Sequence, residues 1–404
     1  MGYANIAKSS SNRIIYKSKP SFHSISFKGR KIMRILFVMP SHISYGGIES
    51  VAINLWKFFL EKGYYIDFVC HGYQEGIFES DISQRGTHIY HIPAKGKNYW
   101  GTIHEFEKII MHGSYDVVHS HMNATSGIYL KIAKKYGVKV LVSHSHMSAM
   151  NAFTKNPLKA LVNQIEKKRT HKYSNIRIAC SDNAGRWLFG NEHYNVILNA
   201  VDVSALSFST KIRTKKRIDL KIEENDFVVI HVGGFLDYKN HLYLIKVFSK
   251  ICKLRNNAKL ILVGDGPLRK EINYKIKEFG LEDSVYMLGQ RNDVNELLQA
   301  ADVFLLPSIS EGNPVALAEA AVSGLHCLVS EHVAKDIANY FSPDSIEFLP
   351  IVGEDSVIKW AETAIKPWKR IQYCKENPCE LDIQNMARQI ENLYMTIISG
   401  ESNE

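Results

Sequence analysis

A chain of 404 residues has room for two or three domains with sizeable cores, and 45% apolar with 23% charged residues is the make-up of an ordinary globular protein. The net charge of +9 is mostly local: Lys8, Arg13, Lys17, Lys19, Lys28, Arg30 and Lys31 fall within residues 1–32, which hold no acid, and the other 372 residues carry 43 bases against 41 acids. The body of the chain is therefore near neutral, which gives no support to a general basic surface for nucleic acid.

In chain order, residues 1–32 are Ser-rich and acid-free, and they read as a disordered basic tail, although a transit peptide has a similar composition. Ile35–Val38 is the first predicted strand. A helix follows, with Ile48, Val51, Ala52, Leu55, Phe58 and Phe59 on one face and Gly63 as its stop. Further strands are expected at 66–69, 117–118, 138–142, 176–179 and 196–198. Residues 203–225 are polar and Lys-rich, and read as a link. A second alternation then supplies strands at 227–230, 260–263, 285–288, 303–306 and 327–329. Strands separated by helices imply parallel sheets built from βαβ units. The expected fold class is α/β, with two tandem Rossmann-like domains and a cleft between them. The expected divisions are the tail 1–32, an N-terminal domain 33–203, a C-terminal domain 204–380, and a last segment 381–404 whose helix crosses back to the first domain.

Cysteines 70, 180, 252, 327, 374 and 379 form no C-x-x-C pair and mostly sit in apolar runs, so they read as free thiols of a reducing cytosol. There is no apolar run long enough to span a bilayer.

Ser310-Glu311-Gly312-Asn313-Pro314-Val315 leads from an apolar strand into a helix that carries Glu319. Strand, small-residue turn and helix N-terminus make a phosphate cradle of free amides. A carboxylate one to two turns into the helix can accept both hydroxyls of a ribose. Around this motif stand Gly46-Gly47-x-Glu49, His119-Ser120-His121, Asn199-Ala200-Val201-Asp202, Gly233-Gly234-Phe235 with Lys239-Asn240-His241, and Val263-Gly264-Asp265-Gly266-Pro267. The ordered set, with two glutamates eight residues apart, resembles retaining glycosyltransferases of family 4, which have the GT-B fold. The likeness runs from about Arg34 to the C-terminal region, and is nearest to the branch that assembles bacterial exopolysaccharide and capsule. Met33-Arg34-Ile35-Leu36 is where such chains usually begin.

The resemblance implies a role for each position. His121, Lys239 and Glu311 would be catalytic: a donor-sugar contact, a cation against the leaving diphosphate, and a carboxylate at the sugar. Gly47, Gly233, Arg291, Gly312, Asn313, Pro314, Val315 and Glu319 would bind the donor, with Glu319 on the ribose. Gly46, His144 and His146 would lie on the acceptor side. Each histidine pair alternates along a strand, so each pair could line the cleft. A zinc site is the rival reading, but no acid or cysteine completes a ligand set, and no metal is expected. Family members usually carry Arg where this chain has Gly234: either Lys239 and the helix dipole suffice, or Arg291 substitutes from a neighbouring turn, or activity is weakened.

The activity implied is hexosyl transfer from a nucleotide diphosphate sugar, with UDP as the expected carrier, to a lipid-linked saccharide at the cytoplasmic face of a membrane. The sugar donor is a substrate, so no cofactor is expected. A UDP-sugar 2-epimerase of the same fold, or a non-catalytic nucleotide-sugar-binding partner, are the alternatives. Around Leu158, Leu161, Val162 and Ile165 a helix is ringed by Lys155, Lys159, Lys167, Lys168, Arg169 and Lys172. It reads either as a solvated basic face or as a docking site for anionic lipid.

Overall fold

The computed structural model describes residues 26–27, 30–94, 96–146, 156–371 and 381–400. The tail expectation therefore falls mainly outside the described residues. Within it, Ser26–Phe27 pairs antiparallel with Arg30–Lys31.

The N-terminal sheet has seven strands: β1 (Arg34–Met39), β2 (Tyr65–His71), β3 (Ile89–Ile92), β4 (Val117–Ser120), β5 (Val140–Ser145), β6 (Ile176–Ala179) and β7 (Asn195–Val196). All pair in parallel, in the order 3-2-1-4-5-6-7. The C-terminal sheet has six: β8 (Phe227–Val232), β9 (Ala258–Val263), β10 (Val285–Gly289), β11 (Val303–Leu306), β12 (His326–Ser330) and β13 (Ile346–Leu349). These too are parallel, in the order 10-9-8-11-12-13. Strand order thus reverses twice, between β1 and β4 and between β8 and β11. Ligands of doubly wound sheets bind beyond the C-terminal strand ends at such points.

The strands are apolar runs because both faces are covered by helices; β1 and β11 are buried along nearly their whole length. The helices that frame the site are α1 (Gly47–Glu61), α2 (Glu79–Gln84), α3 (Tyr99–Gly113), α4 (Ser126–Lys135), α5 (Pro157–Tyr173) and α6 (Asp182–Phe189) in the first half. Gly63, at φ 81, reverses the chain after α1. The strands at 89–92 and 346–349 were not anticipated.

The supposed link at 203–225 is a folded part of the second half. It holds α7 (Val203–Leu206) and α8 (Thr210–Asp219). Three of its basic residues are tied down rather than solvated: Arg213 and Arg217 reach Asp302 at 2.7 and 3.0 Å, and Lys216 reaches Asp293 at 2.7 Å, while Lys211, Lys215 and Lys221 stay exposed. Composition suggested a linker because it cannot show that distant acids await those cations.

The second half continues through α9 (His241–Leu254), α10 (Arg269–Glu278), α11 (Val294–Ala300), α12 (Val315–Val322) and α13 (Glu354–Ala364). The last helix, α14 (Ile383–Ser399), lies against α1 of the first half. Tyr64 Oη donates to Glu391 at 2.7 Å, Lys62 pairs with the same carboxylate at 3.2 Å, and the Phe59 and Tyr394 rings lie 5.8 Å apart. Cys70, Cys180, Cys252 and Cys327 are free; Cys374 and Cys379 lie outside the described residues.

Candidate active site

The site is built from the two strand-order reversals and two helix N-termini that face each other. Between β1 and α1 the chain turns at Gly46-Gly47. A Cβ on Gly47 would lie 3.9 Å from Val315 Cγ2 at the start of α12. In α1 the first intrahelical bond at this end is Ser50 N to Gly46 O at 2.9 Å, and in α12 it is Leu317 N to Pro314 O at 3.0 Å. The amides before them, Gly47 to Glu49 and Gly312 to Val315 apart from the proline, have no helical acceptor. Two positive helix ends therefore converge on one place, which favours an anion there. Pro314 serves as the residue before the helix and not as its first turn.

On the C-terminal side Lys239 and Glu311 form a close ion pair. Ser308 Oγ donates to the same carboxylate at 3.1 Å. Lys239 is half-buried, its side chain 12% exposed, which opposes its charge, yet the adjacent Glu311 carboxylate outweighs burial and its pKa is raised. Gly233 gives Lys239 its place: a Cβ there would lie 3.3 Å from the lysine Cδ and 3.1 Å from His231 Nε2. The Val263–Pro267 turn supports this segment from behind. Phe235 N donates to Asp265 O at 2.9 Å, and a Cβ on Gly264 would meet Gly233 O at 2.1 Å. These glycines are needed for close approach.

Glu319 lies in α12, half-buried, with no hydrogen bond or ion pair among the described residues. Burial alone pushes its carboxyl up to about 7. It is the acid of this region that still has its bonding capacity to offer.

Gly312 and Asn313 are where the halves touch. A Cβ on Gly312 would lie 3.5 Å from both Cys180 Sγ and His146 O. Asn313 Nδ2 donates to Cys180 O at 3.1 Å, and Asn199 Nδ2 to Asn313 O at 2.8 Å. Asn199 thus holds the Gly312-Asn313 turn from the first domain, a contact the sequence motif did not reveal.

The histidines do come together, as four stacked rings on one face of β4 and β5. The centroids of His119 and His121 are 4.4 Å apart, and those of His144 and His146 are 4.1 Å apart. His119 shares hydrogen bonds with Tyr394 Oη at 2.5 Å and His144 at 3.1 Å; His121 shares one with His146 at 2.9 Å. The expectation that both pairs line an open cleft is corrected: His119, His121 and His144 are 0, 0 and 1% exposed, covered by Phe37 and by Tyr394 of α14. Only His146 reaches the surface. Burial pulls His119 and His146 down to about 3 and the other two well below their usual value, so the column is neutral. Ring nitrogens of His119, His121 and His144 lie within 4.8 Å of one another.

Arg291 follows the edge strand β10, and Asp293 takes its guanidinium through two bonds of 2.8 Å. It stays 40% exposed. Gly234 lacks a positive φ, and a Cβ there would make only ordinary contacts, 3.5 Å to Leu236 and 3.7 Å to Asp265 O. A Cβ is therefore tolerated at this position.

Comparison with known proteins follows the same division. Residues 45–205 match the family described as Glycosyltransferase Family 4, and residues 212–338 match Glycosyl transferases group 1. The chain is a glycosyltransferase of the two-domain GT-B fold. It is 28% identical over 313 residues to EpsF of Bacillus subtilis (strain 168), covering 75% of this chain and 80% of the relative. It is 27% identical over 299 residues, 70% of this chain and 76% of the relative, to the Escherichia coli UDP-Gal:alpha-D-GlcNAc-diphosphoundecaprenol alpha-1,3-galactosyltransferase. Among solved structures, Anabaena HepE in complex with UDP and glucose aligns with a TM-score of 0.70 at 18% identity, over 91% of this chain and 99% of the other. No helix among the described residues is long and apolar enough to cross a membrane.

Proposed function

We propose that the protein transfers a hexose from a UDP-sugar, with retention at the anomeric carbon, to a hydroxyl of a growing lipid-linked saccharide for a cell-surface polysaccharide. The observation that carries this reading is the order of groups along one wall: the Lys239 cation, the free amides at the start of α12, then the unpartnered Glu319. That order suits a diphosphate followed by a ribose. The UDP in HepE and the diphosphoundecaprenol acceptor named for the E. coli relative support the same choice of donor and acceptor.

In this reading the bond from the anomeric carbon to the diphosphate oxygen breaks as the acceptor oxygen bonds the same carbon from the same face. The acceptor proton passes to the departing phosphate oxygen. The protein supplies position and charge. Donor binding draws Lys239 from Glu311 toward the diphosphate, and Glu311 turns to the sugar. Helix N-termini and Lys239 neutralise the leaving group without a metal, consistent with the lack of any Asp-x-Asp in the sequence. The enzyme works peripherally at the inner face of the membrane, where its acceptor lies.

The test is a panel of UDP-sugars incubated with a short diphosphate-lipid-linked saccharide, with the product anomer read by NMR. One donor should give transfer with retention. Turnover of UDP-sugar without any acceptor would point to an epimerase instead, and binding without turnover to a non-catalytic partner.

A further inference from the structure

We infer that one face of the N-terminal half, formed by the outer side of α5 and the groove it shares with α3 and α4, docks on an anionic lipid surface. The first two turns of α5 pack against almost nothing. Its two buried residues, Glu166 and Thr170, lie in its second half. Leu158, Leu161, Val162 and Ile165 are 68, 58, 47 and 49% exposed. Their spacing places them on one helical face, about 12 Å long, and none of the described residues covers it. A contiguous exposed apolar patch of this kind marks an interaction site. On the same face, one to two turns further along, stand Lys168 and Lys172, both exposed.

The neighbouring helix extends the pattern. α4 packs along α5, and together they carry eight Lys/Arg and a single acid. That acid, Glu166, is held by Arg169 at 3.2 Å. Between α3, α4 and α5 runs a groove of about 520 Å³ floored by Ile103, Ile128 and Ile132. Trp100 stands at its rim, 78% exposed, with the Tyr99 ring edge-on at 5.3 Å. The acid in the groove, Glu107, is taken by Lys135 at 2.7 Å and by Tyr136 at 2.8 Å. The face thus offers apolar and aromatic groups, unopposed cations, and no unpaired acid in the groove. This is the chemistry of an interfacial helix on a negatively charged bilayer.

A second copy of the chain is a poorer occupant. A two-fold contact through this face would set the cations of one copy against those of the other. The inference rests on the proposed function only in expecting the acceptor to be held in a membrane.

Co-sedimentation with vesicles tests it, using phosphatidylcholine alone or with about 30% phosphatidylglycerol. The unaltered protein should bind the anionic vesicles at least about tenfold more tightly than the neutral ones, less so in high salt. Leu161→Glu with Ile165→Glu should lose that binding. Lys168→Glu with Lys172→Glu should weaken it by about fivefold or more for each charge changed. UDP affinity by calorimetry should be the same in all three proteins. Equal binding to both vesicle types, or variants that bind like the parent, would overturn the inference. So would a parent dimer that the variants dissolve while vesicle binding is unchanged, since the occupant would then be a second copy. Failure of the enzymatic reading has a different signature: vesicle binding intact, but no turnover of any UDP-sugar.

Discussion

In the N-terminal half four imidazoles share a buried column with no opposite charge beside them; in the C-terminal half Lys239 is half-buried next to Glu311. The two regions sit at equivalent places, each at the reversal of strand order in its own sheet. Yet burial has opposite outcomes. It drives the histidines neutral, because desolvation acts on them without compensation. It leaves Lys239 charged, because the carboxylate beside it outweighs the same penalty. Behind one wall of the site therefore lies a neutral histidine column, and the other wall holds a cation paired with a carboxylate. Glu319 is the exception on the charged wall: it is an acid with no partner among the described residues, and its proton is correspondingly hard to remove.

The comparison breaks most visibly at Lys239. Lys239→Met removes the cation and leaves Glu311 without its partner, and kcat should fall by about 100- to 1,000-fold. A kcat within about threefold of the parent would show that the charge serves only to satisfy Glu311.

Glu319 comes next. Glu319→Gln should weaken UDP binding by about 10- to 100-fold at pH 8, as charge-assisted bonds to the ribose are lost. Its raised pKa has a definite sign. Below about pH 4.5 the carboxyl is protonated in both folded and unfolded states, and the folded state loses relative stability as pH rises through about 7. The apo Gln variant should therefore be the more stable protein at pH 8, by about 1–3 kcal/mol in chemical denaturation. Ribose hydroxyls bind the ionised form, so UDP binding to the parent should release a proton and weaken below pH 7. Calorimetry in buffers of different ionisation enthalpy checks this; no proton release would remove Glu319 from the ribose.

Gly234→Arg sharpens the charged wall. The position accepts a Cβ on an unstrained backbone, so a guanidinium there should tighten UDP by up to about tenfold. Unchanged affinity would show that residue 234 does not face the diphosphate.

The smallest effect belongs to the neutral wall. Tyr394→Phe, which removes the hydroxyl that His119 meets, should cost about 1 kcal/mol of stability and leave UDP affinity alone. The histidines' lowered pKa values mean that stability is fully present above about pH 6.5 and is lost as pH falls toward 3, where the unfolded chain takes up protons first. His144→Phe should flatten that decline in urea melts between pH 6.5 and 4.5.

The sequence by itself determined that there are two sheets, their parallel sense and the glycine turns at their strand ends, though not the edge strands at 89–92 and 346–349. These follow from local signals: apolar runs of strand length, glycines at strand ends, and proline beside a helix start. Glu311, Lys239 and Glu319 could be named as candidates for the same reason, since each stands at a fixed offset from such a turn. What only the tertiary structure decided are partnerships between residues far apart in the chain. Lys239 and Glu311 are 72 residues apart, and nothing local tells either that the other is there. Asn199 holds Asn313 across 114 residues, and Tyr394 covers His119 across 275. The basic stretch at 203–225 folds, rather than remaining a linker, because Asp293 and Asp302 come within reach of its cations. A motif states which groups a site has. Packing decides which of them are paired, sealed from water, or left free to meet a ligand.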